Sequence, residues 1–179
     1  MTLKKCCFSG YRPQKFPFKL NDSDIDYGVF IKNLSITISS LIDDDCLVFY
    51  TGMAIGFDII AAETVLKFKE KNNNIKLIAV IPFKNQENSF SEEWKKRYYD
   101  IINRCDEVIT LSEVYHNGCY QNRNKFMVDS SDYVVTWYDG KQGGTRNTLS
   151  YAAKKKHYII NVNTEYLKEF NNTQIKMEI

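Results

Sequence analysis

Short apolar runs alternate with longer stretches of helical period from one end of the chain to the other. The runs at residues 3–9, 46–51, 75–81, 107–111, 133–137 and 158–162 are rich in Val, Ile, Phe and Tyr. That is the composition of strands buried on both faces of a parallel sheet. Between them, Ile31, Leu34, Ile38 and Leu41 fall on one helical face, as do Trp94, Tyr98, Ile101 and Cys105. The stretches from Asp58 (Ile59, Ala62, Leu66) and from Thr145 (Leu149, Ala152, Ala153) carry the same period, and residues 121–129 read as a short helix ahead of the fifth strand. Strands and helices in this order predict right-handed βαβ crossovers. The expected fold is α/β: a single Rossmann-like, doubly wound parallel sheet of about six strands with helices on both faces. No repeat, low-complexity linker or charge block divides the chain, so residues 1–179 read as one domain, with a core over about 3–163 and a tail over 164–179.

In an open parallel sheet, ligands bind outside the carboxyl ends of the strands. The segments that follow the strands are Ser9-Gly10-Tyr11-Arg12-Pro13, Thr51-Gly52-Met53-Ala54-Ile55-Gly56-Phe57-Asp58, Pro82-Phe83-Lys84-Asn85-Gln86, the stretch from Ser112 through Tyr115 to Gly118, and Asp139-Gly140-Lys141-Gln142-Gly143-Gly144-Thr145. Five of the eight glycines lie in the second and fifth of these loops. The connections at the opposite edge (43–45, 72–74, 154–156) carry almost none of this chemistry.

Gly52 and Gly56 form a G-x-x-x-G turn between a strand and a helix. Small residues there let backbone N–H groups approach a phosphate, and the helix dipole favours the anion; a tight packing turn is the structural alternative. The pattern is neither G-x-G-x-x-G nor a P-loop. Gly143-Gly144-Thr145 offers a second cradle, with Thr145 expected as both N-cap and ligand donor. Arg123 and Asn124 on the short helix, with Arg12, are candidates to neutralise phosphate, and Arg123→Ala is expected to remove most phosphate-dependent affinity while leaving the fold intact. Met53 and Asp58 help shape the first cradle, Gly10 belongs to the same edge, and Tyr11, Phe83 or Tyr115 could stack a base. Glu63 and Asp58 are the carboxylates available should the site do chemistry.

The 44% hydrophobic and 14% aromatic content excludes a disordered chain, and a net charge of +2 gives no general affinity for nucleic acid or anionic membrane, so any anion site is local. Five cysteines without C-x-x-C spacing or a neighbouring histidine make neither a disulfide framework nor a metal site. They favour a reducing compartment, and no stretch approaches a membrane span or a signal peptide, so the expected location is the cytoplasm.

Taken together, Ser9–Pro13, Thr51–Asp58 with Ala61-Ala62-Glu63, Ile81-Pro82-Phe83 with Gln86 and Trp94, Arg123-Asn124-Lys125-Phe126-Met127-Val128-Asp129, Trp137-Tyr138-Asp139-Gly140 and Gly143-Gly144-Thr145 resemble the YpsA-like branch of the SLOG superfamily over about residues 5–161. The resemblance implies a Rossmann-like fold and a nucleotide-type ligand, in a bacterial or phage protein. Its relatives include LOG-type phosphoribohydrolases, DprA-like DNA-binding proteins and sensors of ADP-ribose-type signals. The LOG enzymes pair R-K-x-x-M with P-G-G-x-G-T-x-x-E. Here Asn124 stands in the lysine place and Thr148 where the glutamate would be, which disfavours a standard phosphoribohydrolase. The leading expectation is a binding protein for a nucleotide, ADP-ribose-like or cyclic nucleotide signal, as sensor or sequestering module. The alternatives are an N-glycosidase acting on a nucleoside monophosphate or NAD-like substrate, and DprA-like binding of single-stranded DNA, against which the near-neutral charge counts. No cofactor beyond the nucleotide-type ligand is expected, and apolar helix faces allow a homodimer, a habit of SLOG relatives.

Overall fold

The computed structural model describes residues 3–165; the rest of the expected tail, from 166, lies outside them. Six strands, β1 (Lys4–Phe8), β2 (Cys46–Thr51), β3 (Lys76–Ile81), β4 (Glu107–Thr110), β5 (Tyr133–Thr136) and β6 (Tyr158–Asn161), form one sheet in the order β4-β3-β2-β1-β5-β6. Every pairing is parallel. Parallel neighbours need crossovers, and five α-helices supply them: α1 (Ile25–Asp43), α2 (Phe57–Lys69), α3 (Glu92–Arg104), α4 (Cys119–Asp129) and α5 (Gly144–Lys154). The fold is the Rossmann-like α/β sheet that the alternation predicts.

The strand order has a functional consequence. From β1 to β4 the chain steps outward in one direction. It then returns past β1 to place β5 on the other side. Right-handed crossovers put α1, α2 and α3 on one face and α4 and α5 on the other. The direction reverses between β1 and β5, which opens a crevice at their carboxyl ends.

The core follows from the strand composition. Cys6, Cys7, Phe8, Phe49, Leu77, Ala79, Val80, Val134 and Val135 are fully buried between the helical layers. Edge strand β4 is different, with Val108 46% exposed. Helix α1 starts six residues before the first position of its apolar stripe at Ile31, because the Asp24 side chain caps it by accepting the Asp26 N–H at 3.1 Å. On α4, Cys119, Arg123 and Met127 recur at four-residue spacing on the buried face, so the helical period carries an arginine inward with two apolar side chains. The five cysteines are free thiols, four of them buried. Among the described residues no helix is long and apolar enough to cross a membrane.

Candidate functional site

At the β1–β5 switch point lies a cavity of ≈ 300 Å³. The loop after β1 contributes Ser9, Gly10, Tyr11, Arg12, Gln14 and Lys15; the loop after β2 and the start of α2 contribute Ala54 and Asp58; α4 contributes Tyr120, Arg123 and Asn124; the start of α5 contributes Gly144 and Thr145. Four separate chain segments therefore bring most of the candidate residues to one crevice.

The inner wall is an ion pair. Arg123 and Asp58 are both almost fully buried, with Nη1 3.8 Å from Oδ2. The same Nη1 donates to the Gly52 carbonyl, and Nε donates to Asn124 Oδ1 at 2.7 Å. Burial pushes the Asp58 carboxyl up to about 6, against the pull of Arg123, of Arg12 and of backbone N–H groups at Ala54 and Gly10. Burial also lowers Arg123, though from so high a starting value that it stays charged. Asn124 completes the wall: its Nδ2 donates to Thr148 Oγ1 at 2.9 Å, and Thr148 Oγ1 donates to the Gly144 carbonyl at 3.0 Å. Both ends of the Asn124 amide are thus engaged.

The outer wall is cationic and free. Arg12 and Lys15 are exposed and make no ion pair among the described residues. Arg12 sits over the Tyr120 ring at 5.5 Å, and Lys15 lies 5.7 Å from the Tyr11 ring while donating to the Gln142 carbonyl at 3.2 Å. The crevice therefore holds three cations against one carboxylate, with the exposed α5 N-terminus at Gly144 as a further positive end. An anion fits this field.

The glycines divide between packing and access. A Cβ on Gly52 would collide with Arg123 Nη1 and stand 2.7 Å from Asp58 Oδ2, so this glycine makes room for the buried pair. One on Gly10 would collide with the Phe57 ring. Gly56, at φ 95°, lies under the Tyr11 carbonyl, which accepts the Phe57 N–H at 3.0 Å. Met53, left-handed at φ 56° and fully buried, gives its N–H to Thr51 Oγ1 at 3.2 Å. Gly52, Met53 and Gly56 thus sit behind the cavity wall. Gly143, at φ 144°, caps α5 next to Lys15. Gly144 faces open space.

Several expectations are corrected by position. Thr145 is not the N-cap of α5; Gly143 is, and Thr145 Oγ1 donates to the Gly10 carbonyl at 3.1 Å, tying α5 to the loop after β1. The short helix begins at Cys119, two residues before the expected start, which brings Tyr120 to the crevice. Glu63 does not line the cavity: Arg97 of α3 holds its carboxylate through two bonds of 2.7 Å. Tyr11 reaches the cavity, but its ring is buried against Phe16, Trp137 and Tyr138, and its hydroxyl donates to Asp139 at 2.5 Å. Phe83 and Tyr115 stand beside the crevice, edge-on to one another at 5.4 Å, with Phe83 5.7 Å from Tyr120. Sequence reasoning passed over Gln14, Lys15 and Tyr120; the run Arg12-Pro13-Gln14-Lys15 was the available signal for the first two. Among the described residues no three His, Cys, Asp or Glu side chains gather closely enough to hold a metal.

Fold and crevice together define a Rossmann-like α/β protein with a cationic pocket at its switch point. The chain belongs to the YpsA family, described as the YspA SLOG family, whose model matches residues 6–171. It is 36% identical over 118 residues to an uncharacterized SPbeta prophage-derived protein, YoqJ, of Bacillus subtilis, covering 59% of this chain and 69% of that protein. In fold it is similar to DNA processing protein A of Helicobacter pylori, whose structure was described for its single-stranded DNA binding mode. The TM-score is 0.66 at 17% identity, covering 98% of this chain and 77% of that one. It is also similar to DNA processing protein A of Streptococcus pneumoniae (TM-score 0.58, 18% identity), over 89% of this chain but only half the length of that protein.

Proposed function

We propose that the protein binds a phosphate-bearing nucleotide or nucleotide-derived small molecule in the crevice between β1 and β5, as a sensor or sequestering module. The observation that carries this reading is the convergence of Arg12, Lys15 and Arg123 on one ≈ 300 Å³ cavity. Two of these cations lack ion-pair partners among the described residues. Arg123 is committed to Asp58 and Gly52, so it sets the field of the pocket, while Arg12 and Lys15 are the groups free to contact phosphate. Arginine offers a fork suited to phosphate and lysine a mobile point charge.

The test is calorimetric titration of AMP, cyclic AMP, NAD and ADP-ribose into the wild type and into an Arg12→Ala/Lys15→Ala variant. Both side chains are exposed, so the variant keeps the unliganded melting temperature while losing on the order of tenfold or more in affinity for whichever nucleotide binds. Equal affinity in the two proteins would show that the crevice is not the binding site.

One observation favours a second reading, an N-glycosidase on a nucleoside monophosphate or NAD-like substrate. Asp58 is a buried carboxyl at the cavity wall whose titration is raised to about 6, the property of a group that can hold or give up a proton near neutrality. Released base after incubation with AMP or NAD, abolished in Asp58→Asn, would establish this activity. Ligand recovered intact would leave binding alone.

A further inference from the structure

A second recess, ≈ 100 Å³, opens beside the crevice between α4 and α5. Tyr120, Gln121, Asn124 and Lys125 form one side, and Gly144, Asn147, Thr148 and Tyr151 the other. Tyr120, Asn124 and Gly144 belong to both cavities, so the two are contiguous. Their chemistry differs. The crevice is lined by cations, whereas the recess lies between two tyrosines, and its polar groups are mostly amides.

Some of those amides have nothing to do. Asn124 and Thr148 are locked to one another and to the backbone. The side-chain amides of Gln121 and Asn147, both exposed residues, make no hydrogen bond among the described residues. Each amide presents a carbonyl acceptor and an NH₂ donor. Lys125 lies 5.8 Å from the Tyr151 ring without an ion pair, and the Tyr151 hydroxyl is fixed by Asp129 at 2.9 Å, which holds the ring in place.

We infer that this recess is the nucleobase subsite of the crevice: the phosphate of a 5′-nucleotide lies at Arg12 and Lys15, and its base enters between α4 and α5, against Tyr120 and Tyr151, with Gln121 and Asn147 reading its polar edge. Aromatic faces stack any base, and the free amides supply the selection among bases. The inference rests on the phosphate reading of the crevice and assigns the base away from Tyr11, whose ring is buried in the core, and away from Phe83 and Tyr115, which line neither cavity.

The experiment compares AMP, GMP, CMP and UMP with ribose 5-phosphate, by calorimetry, on the wild type, Asn147→Ala, Tyr151→Ala and Tyr151→Phe. At least one nucleotide binds the wild type about tenfold or more tightly than ribose 5-phosphate. Tyr151→Ala brings that nucleotide down to the sugar phosphate's affinity, Tyr151→Phe largely preserves it, and Asn147→Ala narrows the differences among bases. Ribose 5-phosphate binds all four proteins alike. Should no nucleotide exceed ribose 5-phosphate, or should Asn147→Ala and Tyr151→Ala bind nucleotides as the wild type does, the base subsite is wrong while the phosphate crevice stands. Binding of neither nucleotides nor ribose 5-phosphate overturns the crevice and the recess together. Binding of a single-stranded oligonucleotide but of no mononucleotide overturns the small-molecule assignment.

Discussion

At the scale of single residues, the central object is the pair Asp58–Arg123. Sequence alone casts Arg123 as a phosphate ligand whose removal spares the fold. Its burial changes that expectation. Truncating one partner of a buried pair leaves the other charge desolvated and alone, at a cost of about 3–5 kcal/mol. Arg123→Ala should therefore shift the urea midpoint sharply downward; a change within the range of ordinary surface substitutions would mean that the pair contributes little to the fold. Asp58 also makes stability depend on pH. Its folded-state value near 6 lies above the unfolded value near 4, so the folded protein holds this proton more tightly. Stability from this group is full below about pH 4, falls as pH rises to about 6 and is flat above, by about 3 kcal/mol in all. The difference between wild type and Asp58→Asn in unfolding free energy, followed from pH 4 to 7, should carry that slope. A pH-independent difference would show that Asp58 titrates at an ordinary carboxylate value.

At the scale of elements, the six strands were legible because each is a short run of β-branched and aromatic residues between turn-forming segments. The observed strands differ from the sequence reading by one residue or so at their ends. Helix α1 was legible only from Ile31 onward, since its start is held by a cap and carries exposed Ile25, Asp26 and Gly28 in place of an apolar stripe. The glycines separate two kinds of turn that sequence cannot distinguish. Gly52 is a glycine because the Arg123 guanidinium and the Asp58 carboxylate occupy the space of its Cβ, a long-range contact that no local pattern encodes. Gly28 is the opposite case, exposed within α1 with no atom within 4 Å of the place a methyl group would take. Gly28→Ala should raise stability by about 0.5 kcal/mol through helix propensity, and Gly52→Ala should lower it by about 1–3 kcal/mol through overpacking. Thermal denaturation of the two variants checks both signs, and a destabilised Gly28→Ala would contradict the open environment seen there.

For the whole molecule, strand order decides where chemistry can be. The reversal between β1 and β5 gathers the loop after β1, the loop after β2 with the start of α2, one face of α4 and the start of α5, so residues more than a hundred positions apart share one crevice. The edge was readable from the sequence, because glycines and polar residues concentrate after the strands. Which side chains line the cavity was not. Glu63 is turned to Arg97, and Tyr120 enters the crevice, through the packing of helices on one another. The uneven covering of the sheet likewise depends on assembly: Val108 on the edge strand and Val114 and Tyr115 beyond it are exposed.

Whether the crevice takes a nucleotide is decided by thermal denaturation of the wild-type protein with a panel of nucleotides, cyclic nucleotides, NAD and ADP-ribose, each mixture then assayed for breakdown. At a hundred times its dissociation constant a ligand adds about 2.7 kcal/mol to the folded state, enough to raise the melting temperature visibly. Such a rise is expected with at least one phosphate-bearing nucleotide, and it should be abolished in Arg12→Ala/Lys15→Ala. No rise with any of them, at concentrations where phosphate-binding pockets fill, would contradict nucleotide binding at this crevice.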